Sequence, residues 1–131
     1  MFVEGMKIIM ADSSMMKVEE VLSGDKILTK DLGAVAVMAV IDGVEESCVY
    51  IKLANKKNIS VSFDQKLLTP LGIVEARNLV AGDSLVLKDM SYAIIDSISI
   101  QENNKKTYGF YFESKNIFIN VNGIWVSSDI D

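Results

Sequence analysis

Hydrophobic and polar positions alternate along most of the chain with a period of two, which is typical of β-strands rather than of helices. The clearest segments are residues 34–41, 47–53 and 92–100, and all three are rich in β-branched side chains. Each segment therefore predicts a strand. The predicted apolar faces consist of Val49, Ile51 and Leu53 in the second segment, and of Ile94, Ile98 and Ile100 in the third, with Ile95 on the opposite side.

Turn-forming residues separate these strands at short intervals. Helical turns are predicted only at residues 16–22 and 75–79, and each is too short to be more than a connector. Many short strands joined by turns favour a closed all-β architecture. The turn clusters lie at residues 13–14, 24–25, 31–33, 42–43, 55–58, 82–83, 103–106 and 122–123.

The chain also contains a weak internal repeat with an offset of 58 residues. Residues 21–28 (VLSGDKIL) align with residues 79–86 (LVAGDSLV), and the same offset aligns Tyr50 with Tyr108. We therefore predict one domain, residues 1–131, built from two similar β units at about 18–69 and 76–127. The halves of such a fold meet at a pseudo-twofold axis, where we expect the functional groups. Independent β hairpins are the alternative interpretation.

Composition excludes several classes of function. The chain has 131 residues, 13 Lys and Arg against 18 Asp and Glu, a net charge of −5, and no His. The acidic balance argues against nucleic acid as a partner. Without imidazole, a His general base, a His triad and a His metal ligand are all excluded. A single cysteine, Cys48, can form neither an internal disulfide nor a CxxC site. We expect no cofactor and no metal.

The N-terminus does not have the pattern of a secretory signal, because Glu4 interrupts it and no basic region precedes an apolar run. No apolar stretch approaches the roughly 18 residues that a transmembrane helix needs. We therefore expect a cytoplasmic location without membrane contact, for a soluble domain or for a piece of a larger protein.

Four segments, taken in order, resemble the Hint domain family, the self-processing module that Hedgehog proteins share with inteins. They cover nearly the whole chain, and the twofold β fold of that family agrees with the repeat. The resemblance implies an all-β fold of two β subdomains, and it implies that the partners are the flanking segments of the parent protein. The segments are FVEGMKIIMADSS at 2–14, VEEVLSGDKILT at 18–29, LLTPLGIVEARNLVAGD at 67–83 and NIFINVNGIWV at 116–126.

The position of the family's nucleophile is occupied by Met1. The resemblance implies a Cys or Ser there, whose side chain attacks the preceding carbonyl and converts a peptide into a thioester or ester. A thioether has no proton to lose and cannot make this shift. Met1 is either an initiating or engineered replacement for Cys, or a natural loss.

The family's Thr-x-x-His motif falls on Ser62 to Gln65. The resemblance implies that Ser62 takes the Thr role as a hydrogen-bond partner of the scissile bond. The Gln65 amide does not titrate and cannot act as acid or base near neutral pH.

Spliceable members of the family end with His-Asn, and here Ser127 and Ser128 take those places. Serine has no amide to form a succinimide, so C-terminal release by that route is lost. A start codon accounts for a change at the first residue. Gln65 and the serine pair lie inside the domain, so this explanation does not apply to them.

Other candidate residues have simpler interpretations. Cys48 is best interpreted as a structural thiol, and Asp64 as a turn-forming residue rather than a base. Asn122-Gly123 is capable of succinimide formation but is more typical of a tight hairpin. The methionines crowded near the N-terminus are interpreted as core filling rather than as a metal site or a partner groove. They are Met1, Met6, Met10, Met15 and Met16.

The sequence thus predicts a Hint-like domain whose self-cleavage or splicing is impaired or absent. The alternative is a non-catalytic β module that binds a protein partner within a larger protein. A small-molecule enzyme is disfavoured, because the chain has no phosphate-binding loop, no metal-ligand cluster and no paired carboxylates at a telling spacing.

Overall fold

The computed structural model describes residues 1–130 and consists of short strands with two single 3-10 turns. The turns span Val18–Glu20 and Ala76–Asn78, within the two segments where helical turns are predicted. The strands are β1 (Phe2–Val3), β2 (Lys7–Ile9), β3 (Met15–Lys17), β4 (Lys26–Leu28), β5 (Ala34–Ala36), β6 (Ala39–Val44), β7 (Ser47–Leu53), β8 (Asn58–Val61), β9 (Lys66–Thr69), β10 (Gly72–Glu75), β11 (Ser84–Val86), β12 (Tyr92–Glu102), β13 (Lys106–Tyr111), β14 (Phe118–Val121) and β15 (Ile124–Ser127).

The strands form two large antiparallel sheets and a small one. The 7-stranded sheet has the order β11-β12-β7-β8-β1-β13-β6, the 6-stranded sheet has the order β10-β9-β15-β14-β2-β3, and β4 pairs with β5 alone. One core of aliphatic side chains with Phe2 and Phe110 draws residues from both large sheets. The predicted all-β class is confirmed. Among the described residues, no helix is long and apolar enough to cross a membrane.

The predicted apolar face of residues 47–53 is confirmed, because Val49, Ile51 and Leu53 are all buried. The predicted face of residues 92–100 is wrong at Ile94, which is exposed while Ile95 is buried, and Ile100 of that face is exposed as well. Ile95 pairs with Leu53 and Ile98 pairs with Ile51, with a register shift between Ile95 and Ser97. Such a bulge adds one residue to the strand and reverses the alternation of faces beyond it.

The predicted turn at residues 42–43 is also wrong. Asp42 and Gly43 lie inside β6, where they pair with Tyr108 and Thr107. Gly43 has no left-handed backbone, and a Cβ atom there would lie 3.5 Å from Oγ1 of Thr107. Such a contact is ordinary, so Gly43 continues the strand without reversing the chain.

The two segments of the repeat have the same local backbone geometry. After each 3-10 turn comes a left-handed glycine, Gly24 with φ 92° and Gly82 with φ 96°. Each following aspartate accepts a hydrogen bond from the backbone three residues earlier: 2.9 Å between Asp25 Oδ2 and Leu22 N, and 3.0 Å between Asp83 Oδ2 and the corresponding nitrogen.

Candidate functional site

The sheets bring the two ends of the described chain to one place. Phe2 at the start of β1 pairs with Val61 at the end of β8, so Met1 lies next to the loop that follows β8. In β15, Val126 pairs with Leu67 of β9, so the end of β15 lies at the other side of the same loop. That loop carries Ser62 and Gln65.

Met1 is held by its backbone. Its α-amino nitrogen donates hydrogen bonds to Oγ of Ser62 at 2.7 Å and to Oε1 of Gln65 at 2.8 Å. Its carbonyl oxygen accepts from the backbone N–H of Ser62 at 3.0 Å. The nitrogen and the carbonyl of residue 1 are thus both fixed by the segment that the sequence singled out.

Gln65 connects the two ends. Its Oε1 accepts from Met1, while its Nε2 donates to the carbonyl oxygen of Ser127 at 2.7 Å and to that of Lys66 at 3.0 Å. The side chain is buried, and every polar atom of its amide has a partner. One amide group therefore joins residue 1 to the end of β15.

The side chain of Met1 occupies space left by two glycines. A Cβ atom at Gly109 would lie 3.0 Å from Cγ of Met1 and 2.6 Å from Cδ1 of Ile130. A Cβ atom at Gly43 would lie 3.6 Å from Cε of Met1. The fully buried Thr107 is beside them, and its Oγ1 has no hydrogen-bond partner among the described residues. Side chains from both ends of the chain meet over Gly109.

Burial governs the charges at this site. It lowers the pKa of the Met1 α-amino group from its ordinary 8.0 to about 6, against the opposing attraction of the Asp64 and Glu45 carboxylates. Burial likewise raises the pKa of Glu45, and the Asp64 charge adds to that rise, while the Met1 amine opposes it. A positive charge on residue 1 is therefore unfavourable in spite of two acidic neighbours.

Of the two serines at the positions of the family's His-Asn, Ser128 contributes less to this site than Ser127. Ser127 takes part through its carbonyl, while its Oγ accepts from the backbone N–H of Asp129 at 3.1 Å. Ser128 is buried, and its N–H donates to the carbonyl oxygen of Ile117 at 2.9 Å. Within residues 1–130, no hydrogen bond joins the Ser128 side chain to Met1 or Gln65.

Cys48 and Asp64 lie where their simpler interpretations place them. Cys48 is buried in β7, and burial, followed by the Glu45 charge, raises the pKa of its thiol, which disfavours the reactive thiolate. Asp64 accepts a hydrogen bond from Oγ of Ser62 at 3.0 Å within the loop after β8.

The methionines are only partly core residues. Met10 is buried, and Met6 and Met16 pack against the core. Met15 is 65% exposed, so its interpretation as core filling is wrong. It lies on β3, the last strand of the 6-stranded sheet, and most of its side chain stays exposed there.

The site holds the nitrogen of residue 1 between two side-chain acceptors. The Met1 thioether has no ionisable proton, and Gln65 donates and accepts hydrogen bonds without titrating. No group of three or more His, Cys, Asp or Glu side chains that could hold a metal occurs among the described residues.

Sequence reasoning did not find Glu45, Thr107, Gly109 or Ile130. Thr107 and Gly109 lie in β13, which meets Met1 only through long-range strand pairing. Glu45 follows β6 as part of an unremarkable acidic pair. No motif of the sequence marks any of these positions, because their roles arise from sheet assembly.

Inteins and an intein-like domain are among the solved structures that are similar to this chain. A bacterial intein-like domain from Clostridium thermocellum is 20% identical to this chain, covers 96% of each chain, and superposes with a TM-score of 0.83. A DnaB intein from Synechocystis is 16% identical, covers 98% of each chain and has a TM-score of 0.83. The gp41-1 intein is 20% identical, covers 96% of each chain and has a TM-score of 0.81.

No protein-family model matches the sequence, and no curated protein matches it. At these low identities, the structural likeness concerns the fold. The chain therefore has the intein, or Hint-like, fold over nearly its whole length.

Proposed function

We propose that this chain is an intein-like domain that does not cleave or splice as written. It retains the hydrogen bonds with which a self-processing module would hold the junction before residue 1, and we call these contacts its grip on the junction. Its partners are the segments that flank it in a parent protein. The scaffold is kept, and the groups that would carry out acyl transfer and amide cyclisation are replaced.

The observation that carries this proposal is the bridge made by Gln65. Its amide contacts the nitrogen of residue 1 and the carbonyl of Ser127 at 2.8 and 2.7 Å. When a segment precedes residue 1, that nitrogen belongs to the junction peptide and keeps one N–H to donate to Ser62 or Gln65. Both junctions of a flanked domain would thus meet at one buried side chain.

The missing chemistry follows from the same atoms. Cleavage before residue 1 requires a side-chain sulfur or oxygen of that residue to form a bond to the preceding carbonyl carbon. The C–N bond then breaks, and a proton passes to the nitrogen. Methionine has no such atom with a proton to lose, and an amide at position 65 cannot supply the proton to the leaving nitrogen. Ser127 and Ser128 cannot form a succinimide.

The test is a fusion with a folded reporter before residue 1 and another after Asp131. Three forms are compared: the natural sequence, Met1→Cys, and Met1→Cys with Gln65→His. Each is incubated with dithiothreitol and followed by gel electrophoresis and intact mass. We expect the natural fusion to stay whole and the double variant to release the first reporter, because a thiol and a titratable imidazole then lie at the positions that grip the junction.

The matched control is Met15→Cys with Gln101→His, which introduces the same residue types at exposed positions. It is expected to remain whole. Cleavage of the natural fusion at either junction would overturn the absence of processing. A double variant that folds with a dispersed NMR spectrum yet stays whole would overturn the retained grip on the junction.

A further inference from the structure

A second concave site lies away from the residues that grip Met1. It is a groove of about 740 Å³ between β2 and β3 on one side and three turns on the other. The turns are those between β7 and β8, after β11, and between β14 and β15. The side chains that matter for its chemistry are Lys7, Ile9, Met15, Lys57, Leu87 and Lys88.

The floor of the groove is apolar. Ile9 of β2 is buried, Leu87 packs partly against the core, and Met15 pairs with Ile9 across β2 and β3. Cross-strand partners lie on the same face of a sheet, so Met15 and Ile9 form one continuous apolar strip. The Met15 residue on this strip is 65% exposed, so it offers apolar surface that a bound side chain can cover.

The rim of the groove is cationic in a chain whose net charge is −5. Lys7, Lys57 and Lys88 line it, and within residues 1–130 none of them has a carboxylate oxygen within 4.0 Å. Lys7 also lies directly opposite Lys17 in the register of β2 and β3. Like charges at such a pair destabilise a sheet, and a bound anion relieves the repulsion.

The one acidic side chain of the groove, Asp89, is already engaged. Its Oδ1 accepts hydrogen bonds from the backbone N–H and the hydroxyl of Ser91, and these bonds lower its pKa. Oδ1 of Asp89 therefore satisfies its own turn, and among the described residues no lysine nitrogen lies within 4.0 Å of this carboxylate. The carboxylate stays charged, so it offsets part, but not all, of the positive charge of the three lysines.

The walls are held in place before any ligand arrives. Asn122 accepts from the backbone N–H of Lys7 and donates to the carbonyl of Asn58, each at 2.8 Å. The stem of Lys57 lies over Gly123, with Cδ 3.0 Å from where a Cβ atom would stand. A preformed site of this kind loses less entropy on binding.

We propose that this groove binds an acidic peptide segment of a protein partner, with carboxylates on the three lysines and an aliphatic side chain on the strip of Ile9 and Met15. A peptide is favoured over nucleic acid because the groove lacks arginine and aromatic side chains, on which phosphates and bases are usually bound and stacked. The proposal goes beyond the self-processing scaffold and does not depend on it.

The experiment measures binding of a fluorescein-labelled nine-residue peptide with alternating glutamate and leucine by anisotropy. Two matched peptides replace all glutamates with glutamine or all leucines with serine. We expect saturable binding of the first peptide and at least tenfold weaker binding of both others. The fluorescence of the single tryptophan is a second measure of binding. Trp125 Nε1 donates to the carbonyl oxygen of Lys88, a residue of the groove, at 3.4 Å. Its emission should change on binding.

The groove variant is Lys7→Gln with Lys57→Gln and Lys88→Gln, and the control is Lys26→Gln with Lys105→Gln and Lys115→Gln. Both remove three exposed positive charges. We expect the groove variant to lose at least tenfold in affinity and the control less than twofold. Equal losses in both variants, no saturable binding, or tighter binding of a single-stranded oligonucleotide or of anionic vesicles would each overturn the proposal.

Discussion

The side chain of Gln65 is buried, and both the oxygen and the nitrogen of its amide make hydrogen bonds. The acceptor oxygen serves Met1, and the donor nitrogen serves the carbonyl oxygens of Ser127 and Lys66. Buried polar groups of this kind contribute little when paired and cost a great deal when one partner is removed. The residue thus joins the first residue to the end of β15.

Replacing Gln65 with leucine tests this role. The variant keeps the size of the side chain but removes the donor to the Ser127 carbonyl, and it leaves the Met1 nitrogen with Ser62 as its remaining side-chain partner. We expect the free energy of unfolding to fall by about 2 kcal/mol, measured by urea denaturation. Gln101→Leu is the control, because Gln101 is exposed and, among the described residues, its side chain makes one hydrogen bond, from Nε2 to Oγ of Ser99 at 3.4 Å. Equal effects of the two substitutions would contradict the bridging role.

At the scale of elements, hairpin turns determine how strands return to the sheets. The turn between β14 and β15 has φ of 52° at Asn122 and 86° at Gly123, the left-handed pair of a type I′ turn. The hairpin interpretation of this dipeptide is confirmed. The side-chain amide of Asn122 is held by Lys7 and Asn58, so its carbonyl carbon is not free to turn toward attack by the backbone nitrogen of Gly123.

The Gly123→Ala variant should therefore be destabilised. An alanine there must adopt a left-handed backbone, and its Cβ atom would stand 3.0 Å from Cδ of Lys57. We expect a loss of about 1–2 kcal/mol in the free energy of unfolding. Gly43→Ala is the matched control in a strand, where the nearest contact is an ordinary 3.5 Å, and it should change stability by less than about 0.5 kcal/mol. If Gly123→Ala and Gly43→Ala unfold at the same urea concentration, the left-handed backbone at Gly123 is not the cause of the loss in stability.

At the scale of the whole molecule, strands of the two predicted repeat units pair with each other. β6 pairs with β13, and β7 pairs with β12, so strands of each unit complete the sheet of the other. β9 pairs with β15 in the same way, and β2, which precedes the first unit, pairs with β14. We therefore expect that neither unit buries its apolar faces alone, because three strands of each unit take a neighbour from the other unit.

Fragments test this interlocking. Residues 1–75 and 76–131, expressed separately, should each lack dispersed amide signals in a ¹H–¹⁵N NMR spectrum. Mixing them should restore the spectrum of the intact chain, since every exchanged strand pair is then available. A dispersed spectrum from either fragment alone would show instead that each unit folds by itself.

The sequence by itself determined the all-β class, most turns and the segments that resemble Hint domains. These properties depend on local alternation, on glycine and asparagine in turns, and on residue types at fixed spacing. It also placed Ser62 and Gln65 beside Met1 through that resemblance, and the hydrogen bonds of the structure bring these residues together.

Only the tertiary structure decided what surrounds them. The bulge in β12 reversed the predicted face at Ile94, because one extra residue shifts the register and leaves no local signal. Glu45, Thr107 and Gly109 reach Met1, and three distant lysines reach one groove, through pairings between strands far apart in sequence. Such contacts follow from how two interlocked sheets close on one core, which no single segment encodes.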